Sequence, residues 1–332
     1  MEEKGHFINA LPDSDLVTLL AVVRERELRP RRSGGVYLHL LLGDKTGEIQ
    51  GRVWDDAEEI ARLFEADDVV KVRGTLERYN GKSQLIVQRI RRCQEKEFDE
   101  SDFCPISERH PDEMLAELHS HVEGVASEPL RCLLSRMLGD EDLVRALKVA
   151  PGGTRLHHAY RAGLLQHIVS VVGLASRLTK HYPRLDPDLL VAGAILHDMG
   201  KVEELTAARR LGYSTRGQLV GHVALGLEIL ERHLAGLEDF PLVLKTLLQH
   251  LIVSHHGEIE KGALREPMLA EAVVLHALDE LDARLEQVWR VIDQAPPGDE
   301  WTAYVPSLRR QIYCACTNTA AAQQEDGKEG MA

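Results

Sequence analysis

The chain has 332 residues, 44% hydrophobic and 28% charged, which suits a globular protein of one large or two medium domains. No apolar run approaches the ~20 residues that span a bilayer. The N-terminal MEEKGHFINALPDSD lacks the leader pattern of a signal peptide, and the five cysteines lack CxxC spacing, so a cytoplasmic protein with reduced thiols is expected.

The net charge of −13 argues against a generic nucleic-acid binder, but it is spread unevenly. Residues 1–92 hold 16 Lys/Arg and 16 Asp/Glu; the remaining 240 hold 24 and 37, the whole imbalance. Two parts with different electrostatics suggest two jobs. Residues 15–53 predict strands: LVTLLAVVREREL, the alternating VYLHLLL and, behind a turn, EIQGRVW. ERELRPRRSGG, with five arginines from Arg24 to Arg32, predicts a basic loop between the first two. DDAEEIARLF (55–64) predicts a short amphipathic helix, and VVKVRGTLERYNGKSQLIVQRIRRC two strands around the turn Asn80-Gly81.

Three strands, a helix and two strands is the layout of an OB-fold barrel, a platform for single strands and oligosaccharides. Tyr37, His39, Trp54 and Tyr79 are candidates to stack on bases, and Arg52, Lys71, Arg73, Arg78 and Lys82 to follow a phosphate backbone. Taken singly, each fits a core aromatic or a solvated arginine as well.

Residues 95–112, acidic and broken by prolines, predict a linker between the barrel (12–94) and a second domain (113–313); 314–332 predict a disordered tail. From 112 to 294 the pattern is helical, so a multidomain fold is expected, a small all-β OB-fold barrel followed by an all-α helical domain. Leu189 to Leu196 is nearly all apolar and predicts a helix buried on most sides.

Eleven of the 16 histidines fall between His157 and His276. His167 shares a helical face with Val171, Leu174 and Leu178; His197 and Asp198 end the buried helix; His222 opens another; His255 and His256 end LLQHLIVSHHG; Asp279 lies in VVLHALDELD. One such histidine is most often a hydrogen-bonded core residue. Five histidines and two aspartates at core-facing positions are harder to bury unpaired, at ~1–3 kcal/mol for each unsatisfied group. Divalent cations resolve the cost, because imidazoles and carboxylates ligate them and a carboxylate can bridge two.

His167, then His197-Asp198-Met199-Gly200-Lys201, then Asp279 resembles the H…HD…D signature, with HDxGK, of the HD-domain metal-dependent phosphohydrolases. RLHHAYRAGLLQH, AGAILHDMGKVEEL, LVGHVALG, IVSHHG and LHALDELDAR, together with the barrel, resemble the YhaM-type 3′→5′ exoribonucleases from about residue 12 to about 313.

That resemblance implies two metal ions, manganese first, with cobalt, iron or magnesium as alternatives. Asp198 would bridge them, His167, His197 and Asp279 completing one ion and His222, His255 and His256 the other. It implies single-stranded RNA as substrate, single-stranded DNA as a second, water as nucleophile, no membrane partner and a homo-oligomer as one open arrangement. Lys201 would contact the scissile phosphate, or else be a helix-end charge. His158 would have a catalytic or supporting role beside the substrate, or be an ordinary histidine. His276 fits a supporting or core place; spacing alone admits Asp282 as a ligand. EWTAYVPSLRRQIY fits packing on the helical domain or a subunit interface. A nucleotide phosphohydrolase and a non-catalytic binding protein are the rival readings, and the barrel and the full ligand set disfavour them in turn.

Overall fold

In a computed structural model the described residues are 5–12, 16–31, 34–79, 82–99, 102–154, 158–207, 211–296 and 298–315. The expected disordered tail falls, from residue 316 on, outside them, as does the Asn80-Gly81 turn.

Five strands close into a barrel in the order β1-β2-β3-β5-β4: β1 (Leu16–Pro30), β2 (Val36–Asp44), β3 (Gly47–Val53), β4 (Val69–Tyr79) and β5 (Lys82–Arg92). Period-two alternation builds it. Val17, Leu19, Ala21 and Val23 of β1 point inward with Leu38, Leu40 and Leu42 of β2, Val70 and Val72 of β4, and Leu85 and Val87 of β5. β1 pairs with both β2 and β4, and β3 pairs with β5 in parallel. The helix α1 (Ala57–Ala61) links β3 to β4 and is shorter than 55–64 suggested.

The basic loop expected between the first two strands is mostly strand. Arg24 to Pro30 continue β1, since the alternation extends through REREL and pairing with β2 runs to Pro30 opposite Val36. Arg24 donates to the Phe103 carbonyl at 2.7 Å and Arg26 bonds Glu65, so these arginines are engaged along the barrel wall.

Residues 95–112 dock on both neighbours. Phe103 packs among Val22, Val69 and Cys93 of the barrel. Further on, Ser107 N–H donates to the Arg161 carbonyl at 3.0 Å, and Arg161 N–H to the Pro105 carbonyl at 2.8 Å.

The second part is built from α2 (Pro111–Glu123), α3 (Glu128–Leu138), α4 (Glu141–Leu147), α5 (Gly163–His181), α6 (Pro187–Leu196), α7 (Lys201–Glu204), α8 (Thr215–Val220), α9 (His222–Leu234), α10 (Leu242–Ser254) and α11 (Ala270–Asp293). It is not purely helical: β6 (Leu205–Ala207) and β7 (Leu211–Tyr213) pair as a small antiparallel sheet. Three-residue strands are too short for a period-two pattern to register in sequence. No described helix is long and apolar enough to cross a membrane.

The axis of this part is α6. Asp186 caps it, accepting from the backbone N–H of Asp188 and Leu189 at 3.0 Å, and Pro187 occupies its first position. Every residue from Leu189 to Leu196 is buried, with α5, α10 and α11 packed around it. Each large aliphatic side chain so buried stabilises by roughly 1.5–3 kcal/mol, and the helix delivers whatever follows Leu196 into the centre of the domain.

Gly200 then sets how closely α9 approaches. A Cβ there would collide with the His222 carbonyl oxygen and the Gly226 backbone nitrogen. Backbone cannot yield as a side chain can, so Gly200→Ala is expected to destabilise the fold by about 1–3 kcal/mol. Urea unfolding checks this, and an unchanged midpoint would contradict the tight approach.

Candidate metal centre

Five helices converge on Asp198. His167 comes from α5, His197 and Asp198 from the end of α6, His222 from the first position of α9, His255 and His256 from the end of α10, and Asp279 from the middle of α11. His167, His197, Asp198 and His255 are each at most 2% exposed.

The two carboxylate oxygens of Asp198 face two groups. Oδ2 lies 3.6 Å from the Nε2 atoms of His167 and His197. Asp279 Oδ1 closes that side at 3.3 Å from His167 Nε2. Oδ1 lies 3.6 Å from the Nε2 atoms of His222 and His255, and His256 Nε2 is 3.2 Å from that of His222. The ligand atoms of His167, His197, Asp198 and Asp279 form one cluster within 4.8 Å, and those of His222, His255 and His256 another.

The second nitrogens reveal the tautomers. Nδ1 of His197 donates to the Ala194 carbonyl at 3.0 Å, Nδ1 of His255 to that of Ile252 at 2.7 Å, and Nδ1 of His256 to that of Lys261 at 3.2 Å. His222 Nδ1 lies 3.2 Å from Glu204 Oε1, and His167 Nδ1 2.7 Å from Asp282 Oδ2. A neutral imidazole that donates through Nδ1 has a bare lone pair at Nε2. The lone pairs of His222 and His256 therefore meet head on. Buried Asp198 Oδ1 and His255 Nε2 face each other without a hydrogen-bond partner. Acceptors opposed to acceptors are unfavourable unless a cation stands between them, and imidazole plus carboxylate is a donor set for divalent transition metals. The residues fit the metal pair.

Each half has one histidine backed by a carboxylate, His167 by Asp282 and His222 by Glu204, while backbone carbonyls back the rest. Such partners fix ring orientation and raise ligand basicity. Burial lowers His197 and His256 to about 4, so both are neutral at pH 7. For His167, burial acts the same way, but hydrogen bonds to Asp279 and Asp282 outweigh it and raise it to about 10. Burial disfavours the Asp198 charge, yet Lys201 and His197 hold it well below the usual carboxylate range. Lys201 Nζ sits 2.5 Å from Asp198 Oδ2.

His158 does not face the metal cluster. Its Nε2 lies 2.8 Å from Asp282 Oδ2 and its Nδ1 2.9 Å from the Tyr160 hydroxyl, so it stands behind His167, a position that fits a supporting role. Ser170 Oγ donates to the other Asp282 oxygen. Asp282, which spacing admits as a ligand, and Glu204, which the sequence reading passes over, are the backing carboxylates. His276 supports the loop, its Nδ1 donating to the His255 carbonyl at 2.8 Å.

On the barrel, Tyr37 and Trp54 rings lie 4.9 Å apart, with Arg31 5.3 Å from the Trp54 ring and Arg52 5.9 Å from both. His39 opposes Arg52 across β2 and β3. It is buried, and burial, Arg29 and Arg52 lower its pKa, so it supports this cluster more than it offers a ring to a base. Arg73 is exposed on β4. The Lys82 side chain is outside the described part of its strand.

Residues 164–284 match the family described as HD domain, and residues 17–92 the OB-fold nucleic acid binding domain. The chain is 32% identical over 299 residues to the 3′-5′ exoribonuclease YhaM of Geobacillus sp. (strain WCH70), covering 89% of this chain and 90% of that one. Among solved structures, the second OB-fold domain of replication protein A from Methanococcus maripaludis matches at 22% identity and TM-score 0.23, over 28% of this chain and 98% of that one. Asparaginyl-tRNA synthetase from Entamoeba histolytica matches at 16% and 0.23, over 35% and 32%.

Two measurements follow from the paired architecture. Asp282→Asn is expected to weaken Mn²⁺ binding about 10–100-fold in calorimetry; an unchanged affinity would remove Asp282 from the site's support. With His167 carrying both protons near neutrality, loading its Nε2 expels one, so Mn²⁺ affinity rises with pH between 6 and 8. Calorimetry in buffers of different ionisation enthalpy should find about one proton released.

Proposed function

This chain belongs to the YhaM family of 3′-5′ exoribonucleases, and from that premise we propose that it is a two-metal phosphodiesterase that shortens single-stranded RNA from its 3′ end, with single-stranded DNA as a second substrate. The observation that carries the two-metal reading is the pair of ligand clusters on opposite oxygens of Asp198. Manganese is the expected ion at each of the two positions. When bound, the cations would supply Lewis acidity to a phosphodiester and to water, and stabilise the leaving oxygen.

The protein's own groups do the rest. Asp198, held ionised within the core, keeps a negative charge between two imidazole clusters. Asp282 and Glu204 fix the rings so that Nε2 points inward. Lys201 carries a permanent positive charge beside Asp198, suited to a phosphate oxygen as charge develops there. The ligand set contains no serine, threonine or cysteine, which supports water as the attacking group. The aromatic pair Tyr37 and Trp54, flanked by Arg31 and Arg52, suits base stacking with cation–π support, a sequence-tolerant way to hold a strand. A cytoplasmic setting agrees with the absence of any disulfide among the described cysteines.

A 5′-labelled single-stranded RNA incubated with the protein and Mn²⁺ should give a descending ladder, absent with EDTA and reduced by more than about 100-fold in Asp198→Asn. An intact oligomer across Mn²⁺, Mg²⁺, Co²⁺ and Fe²⁺ would sink the reading.

A further inference from the structure

The wall of the barrel formed by β4 and β5 breaks a rule of sheet stability. Lys71 stands directly opposite Arg91, and Arg73 directly opposite Arg89. Like charges in such register destabilise a sheet. Arg91 is neutralised by a two-pronged pair with Glu97, at 2.6 and 2.9 Å. The guanidinium groups of Arg73 and Arg89 are both exposed, and neither makes a hydrogen bond or ion pair among the described residues.

A bulge creates the pair. The register shifts between Arg73 and Gly74, so Arg89 pairs with Arg73 while Val87 pairs with Gly74, leaving Gln88 as the extra residue. Strict alternation from buried Leu85 and Val87 would turn Arg89 into the barrel. With the bulge, Gln88 and Arg89 are both exposed and Ile90 returns to the core. Gly74 is integral to it: a Cβ there would collide with the Ile86 carbonyl oxygen.

The pair also lines up with the aromatic cluster. Tyr37 lies beside Trp54 by the β2–β3 register. The parallel pairing ends at Arg52–Ile86, and continued in the same register it would bring Trp54, just past β3, level with Gln88, next to Arg89 and Arg73. One outward row thus runs from aromatic rings to paired arginines across three strand spacings, about 14 Å at ~4.8 Å each.

We propose that Arg73 and Arg89 form a phosphate-binding site that extends the Tyr37–Trp54 platform across β5 and β4 into a track for the backbone of single-stranded nucleic acid. This rests on the reading that such a strand is the substrate. Two facing guanidiniums suit a bridging phosphate, each through its planar fork of donors. The binding partner offsets the repulsion that the isolated barrel retains.

The test uses the full chain loaded with Mn²⁺ and a fluorescent 20-nucleotide oligo(U) protected at its 3′ end by phosphorothioates, with affinity read by anisotropy across a salt series. In Arg73→Gln/Arg89→Gln the slope of log affinity against log salt should fall by about 0.7, the value for one lost phosphate contact, and affinity should weaken several-fold. The thermal midpoint should hold or rise as the repulsion is relieved. The lysine pair Arg73→Lys/Arg89→Lys should recover most of the slope, and the charge-matched Arg177→Gln/Arg184→Gln, on the helical part, should leave it unchanged. A wild-type slope and affinity in the glutamine pair, or an equal loss in the Arg177/Arg184 variant, would overturn the site even if the enzyme degrades RNA. Failure of the unmodified chain to bind or degrade RNA would overturn the substrate reading and the site with it.

Discussion

A buried carboxylate that must stay charged governs the helical part of this molecule. Asp198 is 1% exposed, and a lone charge at that depth would protonate or disrupt the core. Its oxygens instead look out on imidazole nitrogens, that of His197 a bare acceptor, with the Lys201 ammonium in direct contact and the protonated His167 ring 3.6 Å away. Single polar groups left without partners cost about 1–3 kcal/mol each, so the arrangement is stable as a cation site and poor as anything else. The surrounding architecture follows from that demand: an all-apolar helix brings Asp198 to the centre, a glycine lets α9 close on it, and helix ends from four directions present histidines with fixed tautomers.

The carboxylates behind the histidines separate two tasks. Asp282 and Glu204 each hold one ring through its Nδ1, Asp282 that of His167 and Glu204 that of His222, on opposite sides of Asp198. His158, Tyr160 and Ser170 in turn hold the Asp282 end. The metal-facing atoms are thus backed by a further layer of bonds, which fixes ring geometry more tightly than rotamer preference alone.

The metal-facing residues were legible in the amino-acid sequence because they violate their surroundings. His197 and Asp198 terminate eight apolar residues, and His255 interrupts another apolar run, so periodicity alone marks them as costly. Glu204 and Asp282 were not legible in the same way: KVEEL and DELDAR look like ordinary solvated helix faces, and only tertiary packing turns these carboxylates inward. His158 was visible as a histidine, but its direction depends on a left-handed backbone at φ 46° that spacing does not encode. In the barrel, the strand order was readable from alternation and turns. The bulge left a subtle trace, the adjacent polar residues Gln88 and Arg89 between Val87 and Ile90, where strict alternation would place one of them in the core.

The uneven charge becomes intelligible at the scale of screening. At physiological ionic strength exposed charges fade over about 8 Å, so the acidic excess beyond residue 92 does not cancel arginines clustered on a barrel wall. Nor does the barrel's overall neutrality, since its acidic groups are used elsewhere: Glu65 on Arg26, Asp68 on Arg92, Asp44 on its own turn. What remains uncompensated on the outer row is positive. An acidic helical part suits divalent cations while a locally basic face of the neutral barrel suits a polyanion, and neither property is visible in the net charge of the whole chain.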